Sequence, residues 1–186
     1  MATKIAGIAG SLRRGSFNRM LLQAAGQVLP PDAEFTSFDR LDRVPPFNED
    51  WEADPAPLAV VQLRQLIADA DGLLIATPEY NGSIPGQLKN ALDWASRPQG
   101  AAVLQGKPAA VISASPGAGG AAGAAADLRK VLAVGGASVI APTLAVPRAF
   151  AQFTSEGQLA DPELGAQLRA VTEELTQTAG SRREAA

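Results

Sequence analysis

Five short apolar runs recur along the chain of 186 residues, and each is followed by a helical pattern or a long loop. Strands that alternate with helices build a parallel sheet, because a crossover helix must return the chain before the next strand can run in the same direction. The runs are Lys4–Ala9, Glu34–Phe38, Leu73–Thr77 ("LLIAT"), Gly106–Ser115 ("GKPAAVISAS") and Ala137–Ala141 ("ASVIA"). The first helix is expected from Ser16 or Phe17 to about Leu29, with Met20, Leu21, Ala24, Ala25 and Val28 inward. Further helices are expected over 58–70, from near Pro85 with Leu88, Leu92 and Ala95 on one face, and over 122–133. The last spans 162–178, with Leu164, Leu168, Val171 and Leu175 at helical spacing. Residues 39–57, "DRLDRVPPFNEDWEADPAP", form a long irregular loop of the kind that often carries function. These elements make one α/β domain over residues 1–186, a doubly wound parallel sheet whose residues 179–186 are a flexible tail.

The residue types narrow the chemistry. There is no cysteine and no histidine, which removes disulfides, thiol nucleophiles, the usual zinc sites and every Ser-His-Asp arrangement. No side chain is assigned a catalytic role and none a metal; an enzyme of this composition leaves its hard chemistry to a bound cofactor. The net charge of −3 argues against nucleic acid as a partner. No stretch approaches the roughly 20 apolar residues of a membrane span. The opening "MAT" leads directly into a strand without a basic leader, so a cytoplasmic protein is expected.

Ligands of open parallel sheets bind at the carboxyl ends of the strands, where strand order reverses. With the order 2-1-3-4-5 that point lies between the first and third strands. The loops that follow those strands are "GSLRRGSFN" (10–18) and "PEYNGSIPG" (78–86), the two most polar-functional segments of the chain. The first leads into a helix N-terminus, where free N–H groups and the helix dipole favour an anion. Ser11, Ser16 and Asn18 add donors, Arg13 or Arg14 adds a permanent charge, and Gly10 and Gly15 let the backbone approach closely. An ordinary turn with Ser16 as helix cap is the plainer reading. A Walker A loop would need Lys and then Ser or Thr after Gly15, where this chain has Ser16 and Phe17. The G-x-G-x-x-G fingerprint is absent, and no acidic residue stands out at the end of the second strand. A monophosphate therefore fits better than a triphosphate or pyrophosphate. "GAGGAAG" (117–123) is read as a slim wall that leaves room for a nicotinamide. Lys89 and Asp93 are read as a surface pair at i,i+4.

"TPEYNGSIPGQLKNALDW" (77–94) is the most specific string. With "GSLRRGSFN" it resembles the NADPH-dependent FMN reductase family, a flavodoxin-like group that includes quinone, azo-dye and chromate reductases. The resemblance runs from the first strand to the final helix. It implies a flavodoxin-like sheet of order 2-1-3-4-5 and a tightly held, non-covalent FMN. Carried over, Ser11, Arg13, Ser16, Phe17 and Asn18 hold the FMN phosphate. Pro78, Glu79, Tyr80, Asn81 and Gly82 line the isoalloxazine, while Ser115 and Gly117 approach it from the far side. Glu79 has a second reading as a solvated or salt-bridged carboxylate. The implied activity passes hydride from NADPH or NADH through FMN to a quinone, free flavin, azo dye or metal oxyanion. The implied assembly is a homodimer or a tetramer. The rival readings are a flavodoxin-type electron carrier and a phosphate- or nucleotide-binding module without redox activity. Many relatives carry a larger residue at the position of Gly82, and polar or basic residues where this chain has "AAGAAAD" (121–127).

Overall fold

The structure is a computed structural model that describes residues 2–52 and 56–185. Strands β1 (Thr3–Ala9), β2 (Ala33–Phe38), β3 (Gly72–Thr77), β4 (Pro108–Ala114) and β5 (Ser138–Val146) form one parallel sheet in the order β2-β1-β3-β4-β5. Helices α1 (Phe17–Gln27), α2 (Leu58–Asp69), α3 (Gly86–Ala95), α4 (Ala122–Val134) and α5 (Pro162–Ala185) cover its two faces. Strands β3 and β4 are buried along their whole lengths, which is why both read as nearly unbroken apolar runs. Alternate residues point to opposite faces. Ile5, Leu74, Ala76, Ala110 and Ile112 meet α1 and α5, while Ala6, Ile8, Leu73, Ile75 and Val111 meet α2, α3 and α4.

Two glycines let α1 lie close on the sheet. A Cβ on Gly7 would stand 2.4 Å from the Phe35 ring, and one on Gly26 would stand 2.9 Å from it. Phe35 of β2 thus fills a hollow that only a pair of glycines leaves open.

Several sequence expectations are corrected. In α1 the buried apolar residues are Leu21, Leu22, Ala24 and Ala25, and Val28 packs partly buried against the same cluster as expected; Met20 is only half-buried. The helix stops at Gln27, two residues short of the expected end near Leu29. β5 runs well past Ala141, through Pro142 to Val146. It is an edge strand, and its pairing with β4 shifts register between Ala109 and Val111. The bulge absorbs the missing proline N–H, and the Arg129 guanidinium donates to the Ile140 carbonyl at 2.7 Å. α5 continues to Ala185 instead of ending near Thr178. Arg183 donates to the Ala2 carbonyl at 2.9 Å and pairs with Asp71, and Arg182 donates to the carbonyls of Gln105 and Gly106. These anchors hold as helix a segment read as a flexible tail.

The long second loop carries 3-10 turns at Leu41–Arg43 and Glu49–Trp51; residues 53–55 lie outside the described residues. Its first half is strapped to α3. The Gln87 amide donates to the Leu41 and Val44 carbonyls, and the Asn90 amide and Trp94 indole both donate to the Pro45 carbonyl. Phe47 packs edge-on against Trp94. Arg97 pairs with Glu49 at 2.6 Å and Glu52 at 2.5 Å. The apolar residues of α3 are spent inside the chain, since Leu88, Ala91, Leu92, Trp94 and Ala95 are all buried. They leave no apolar stripe on α3 for a second copy. No helix among the described residues is long and apolar enough to cross a membrane.

Candidate functional site

The turns that follow β1 and β3 meet at the reversal of strand order. Gly10 extends the β1–β3 ladder, its N–H donating to the Ala76 carbonyl at 2.8 Å. A Cβ there would stand 2.8 Å from Leu88 and 3.4 Å from Pro78, so only glycine fits between the strand ends and α3. Ser11 follows, 3% exposed, with its Oγ 3.4 Å from the Tyr80 hydroxyl. This contact joins the two turns into one crevice.

On the first turn, Ser16 is the N-cap of α1, accepting from the Arg19 N–H at 3.3 Å. Its cap role and an anion-binding role are compatible, because the hydroxyl proton stays available. The N–H groups of Phe17 and Asn18 open the helix and have no intrahelical acceptor. The Arg13 guanidinium lies over the Phe17 ring, 5.4 Å from its centroid. Arg13 and Arg14 are exposed and have no carboxylate partner among the described residues. Phe17 stacks in turn on Phe153, with centroids 6.4 Å apart and planes 4° from parallel. Phe153 lies in the long connection after β5, which therefore packs beside the first turn.

Asn18 is placed differently from the sequence reading. Its amide donates to the Ala114 carbonyl at 2.8 Å and accepts from the Ala114 N–H at 2.9 Å. β3 ends at Thr77, opposite Ser113, so Ala114 has no strand partner on that side. The Asn18 amide replaces the missing strand and fixes α1 to the end of β4. Only the second N–H of its amide is left for a ligand.

The second turn is a tight hairpin. Tyr80 and Ser83 exchange N–H···O bonds of 2.9 and 3.2 Å, and Asn81 and Gly82 between them have φ of 51° and 79°. Two successive positive φ values define a type I′ turn, which Asn-Gly favours more than almost any other pair. The pairing uses no N–H of Asn81 or Gly82, so both remain as donors at the tip. Tyr80 is 50% exposed and offers one face of its ring. Pro78 is buried at the base, its carbonyl accepting from the Thr77 hydroxyl at 2.8 Å.

Glu79 is exposed, as expected of a solvated carboxylate, but it also has a structural partner. Its Oε2 accepts from the Ala124 N–H at 3.1 Å, in the first turn of α4. The N-cap residue of α4 is Ala121, in a left-handed conformation with no side chain to cap the helix. Glu79 supplies the cap from another loop. Gly123 makes room for it, since a Cβ there would stand 3.1 Å from the carboxylate. The "GAGGAAG" segment is therefore partly a seat for Glu79, and Gly120 answers a second demand. At φ +60° it lies so close to β5 that a Cβ would meet the Ala145 and Val146 backbone at 2.8–2.9 Å. After β4, the Ser115 Oγ accepts from the Gly117 N–H at 3.1 Å. Their carbonyls accept from Ala149 and Arg148.

Sequence reasoning missed three features here. Phe153 and the post-β5 wall had no motif to announce them. Arg148, held at φ 46° next to Gly117, puts an exposed cation at the rim. Asp39 directly follows β2, and with Ser11, Arg19 and Ser37 it lines a cleft of about 300 Å³ beside the first turn. An acidic residue thus does end the second strand. A larger groove of about 820 Å³ runs between α3 and α4 and touches the second turn at Ser83 and Ile84.

The profile of the NADPH-dependent FMN reductases matches residues 3–151. The chain belongs to that family. It is 52% identical over 133 residues to a 2-hydroxy-1,4-benzoquinone reductase from Burkholderia sp, covering 72% of each chain. It is 43% identical over 159 residues to an NAD(P)H-dependent FMN reductase from Pseudomonas aeruginosa, covering 85% of each. Among solved structures, the flavoenzyme NAD(P)H:(acceptor) oxidoreductase FerB from Paracoccus denitrificans superposes with a TM-score of 0.88 at 34% identity. That match covers 97% of this chain and 98% of FerB.

FMN offers a phosphate dianion at one end and a flat ring with a polar edge at the other. The crevice has matching ends: helix amides, Ser16 and unpaired arginines at the first turn, and free N–H groups beside an exposed tyrosine ring at the second. The donor set fits the group.

Proposed function

We propose that the protein is an FMN-dependent oxidoreductase that takes hydride from NADPH or NADH and delivers it to a quinone or similar small acceptor. The observation that carries this reading is the contact between Ser11 and Tyr80, which joins an anion seat to a donor-lined aromatic platform in one crevice. Ser11, Ser16, the Phe17 and Asn18 amides and Arg13 hold the phosphate. Bound FMN supplies the acceptance and release of hydride, which no side chain here performs. The Asn81 and Gly82 N–H groups donate to the polar edge of the ring and favour negative charge there. Tyr80 and Pro78 support the ring plane. Ser115 and Gly117 line the far side, and the exposed edge next to them admits the nicotinamide and the acceptor in turn. Asn18 and Glu79 serve the site by fixing β4 and α4 around it.

The proposal takes residues 1–186 as one cytoplasmic domain and the assembly as a homodimer. Since the apolar residues of α3 are buried within the chain, the surface offered to a second copy is the α3–α4 groove, where Val134 stands exposed. The test is anaerobic. Protein loaded with FMN is mixed with NADPH, and the visible flavin absorbance is followed before and after benzoquinone is added. Bleaching by NADPH and recovery with quinone are expected. A spectrum unmoved by either nicotinamide would leave an electron carrier, and failure to take up FMN would leave a module without redox activity.

A further inference from the structure

The chain on either side of the second turn is packed, with Pro78 and Pro85 buried and Ile84 against the core, but the Asn81-Gly82 tip has no packing of its own. Tyr80, Asn81 and Gly82 are exposed, and a Cβ on Gly82 would meet nothing within 4 Å. The turn's two internal hydrogen bonds define its shape but not its position, and an isolated hairpin of this size is marginal in water. At the front it touches Ser11 only through the long Tyr80 contact of 3.4 Å. At the back the hold is firmer. The Ser83 hydroxyl donates to Asp127 Oδ2 at 2.7 Å, a short bond to a charged acceptor. Glu79 Oε2 accepts from the Ala124 N–H three residues earlier in the same helix.

The α4 side of this attachment is sparse. Residues 119–126 are all glycine or alanine, so Asp127 is the first side chain of α4 able to hold the turn by a hydrogen bond. The start of α4 is itself fixed to the sheet. Gly120 is pressed against β5, and its carbonyl accepts from the Ser113 hydroxyl at 2.8 Å. A line of bonded contacts thus runs from the centre of the sheet through the start of α4 to Asp127, Ser83 and the tip.

We propose that Asp127 is a positioning residue for the flavin: through Ser83 it sets where the Asn81 and Gly82 N–H groups stand at the edge of the ring. Donors aimed in advance stabilise charge without reorganising when it develops, and that advantage is lost when their support is loosened. The role rests on the FMN reading of the site. Asp127 touches no substrate and acts only through Ser83.

The variants are Asp127→Ala, Asp127→Asn, Ser83→Ala and the double Ser83→Ala/Asp127→Ala. The readouts are the FMN dissociation constant, the flavin midpoint potential, and kcat and KM with NADPH and benzoquinone. Each alanine variant is expected to weaken FMN binding by about five- to tenfold, the worth of one hydrogen bond to a charged group reduced by exposure. Both should lower the midpoint potential and kcat while leaving the quinone KM within twofold. The double variant should be no worse than either single one, because both remove the same bond. Asp127→Asn keeps an acceptor oxygen for Ser83 and should restore FMN affinity and potential. Alanine variants that match the wild type in affinity and potential would overturn the role. So would losses that add in the double variant, or an Asn variant as weak as Ala. If the wild type takes up no FMN, the cofactor reading fails together with this one; wild-type binding with indifferent variants defeats the Asp127 role alone.

Discussion

Asn18→Ala should destabilise the FMN-free protein by about 2–4 kcal/mol. The wild-type amide makes bonds of 2.8 and 2.9 Å to the carbonyl and N–H of Ala114, a residue 2% exposed. Truncation leaves two buried backbone groups without a partner, each costing about 1–3 kcal/mol. A water molecule entering the vacated space would recover part of that, which sets the range below the simple sum. For a chain of this length a loss of that size lowers Tm by about 6–12 °C. Urea unfolding, followed by far-ultraviolet circular dichroism and by the fluorescence of the buried Trp94, measures it. Gln23→Ala, at an exposed position of the same helix, is the control and should stay within about 0.5 kcal/mol of wild type. An Asn18→Ala variant as stable as that control would show that Ala114 finds other partners and that the amide is no substitute for a strand.

Other outcomes follow from the same structure. Arg13→Ala should weaken FMN by about ten- to a hundredfold, roughly 1.5–3 kcal/mol, as for a lost charged hydrogen bond, and unchanged retention in a fluorescence titration would exclude it from the phosphate seat. Gly120→Ala puts a Cβ 2.8 Å from the Ala145 carbonyl carbon at a φ of +60° and should cost about 2 kcal/mol or more in a thermal melt. A variant within error of wild type would mean that β5 yields to it easily. Deleting residues 181–186 removes the Arg182 and Arg183 anchors to Gly106, Ala2 and Asp71. It should lower stability by about 1–2 kcal/mol, whereas a dispensable tail would leave the urea midpoint where it was.

The strands were legible because a sheet strand covered on both faces reads as a nearly continuous apolar run, and β3 and β4 do, apart from the buried hydroxyls of Thr77 and Ser113. The strand order was implied by the family resemblance, and the two polar turns do lie at the reversal point of that order. The I′ hairpin is written in the Asn81-Gly82 pair, since few other residues accept two positive φ values in a row, but the sequence reading took from it only residues lining the ring. What stayed hidden were side chains that bond to backbone far away in sequence. Asn18 looked like a phosphate donor, but most of its amide is spent on Ala114, 96 residues on. Glu79 looked like a cofactor neighbour or a surface carboxylate, and it caps a helix 45 residues on. Neither pairing leaves a local pattern. β5 was read short because Pro142 resembles a terminator; its tolerance depends on an edge position and a bulge that exist only once the sheet has formed. The two arginines near the end of α5 looked like a charged tail because their acceptors are carbonyls of distant turns.

The most direct measurement is a crystal structure of the protein grown with FMN. The cofactor's phosphate should lie at the N-terminus of α1, within hydrogen-bond distance of Ser11 or Ser16, and its ring should rest against Tyr80 with the polar edge facing Asn81 and Gly82. Density for FMN elsewhere on the molecule, or none in that crevice from protein that binds FMN in solution, would contradict the account.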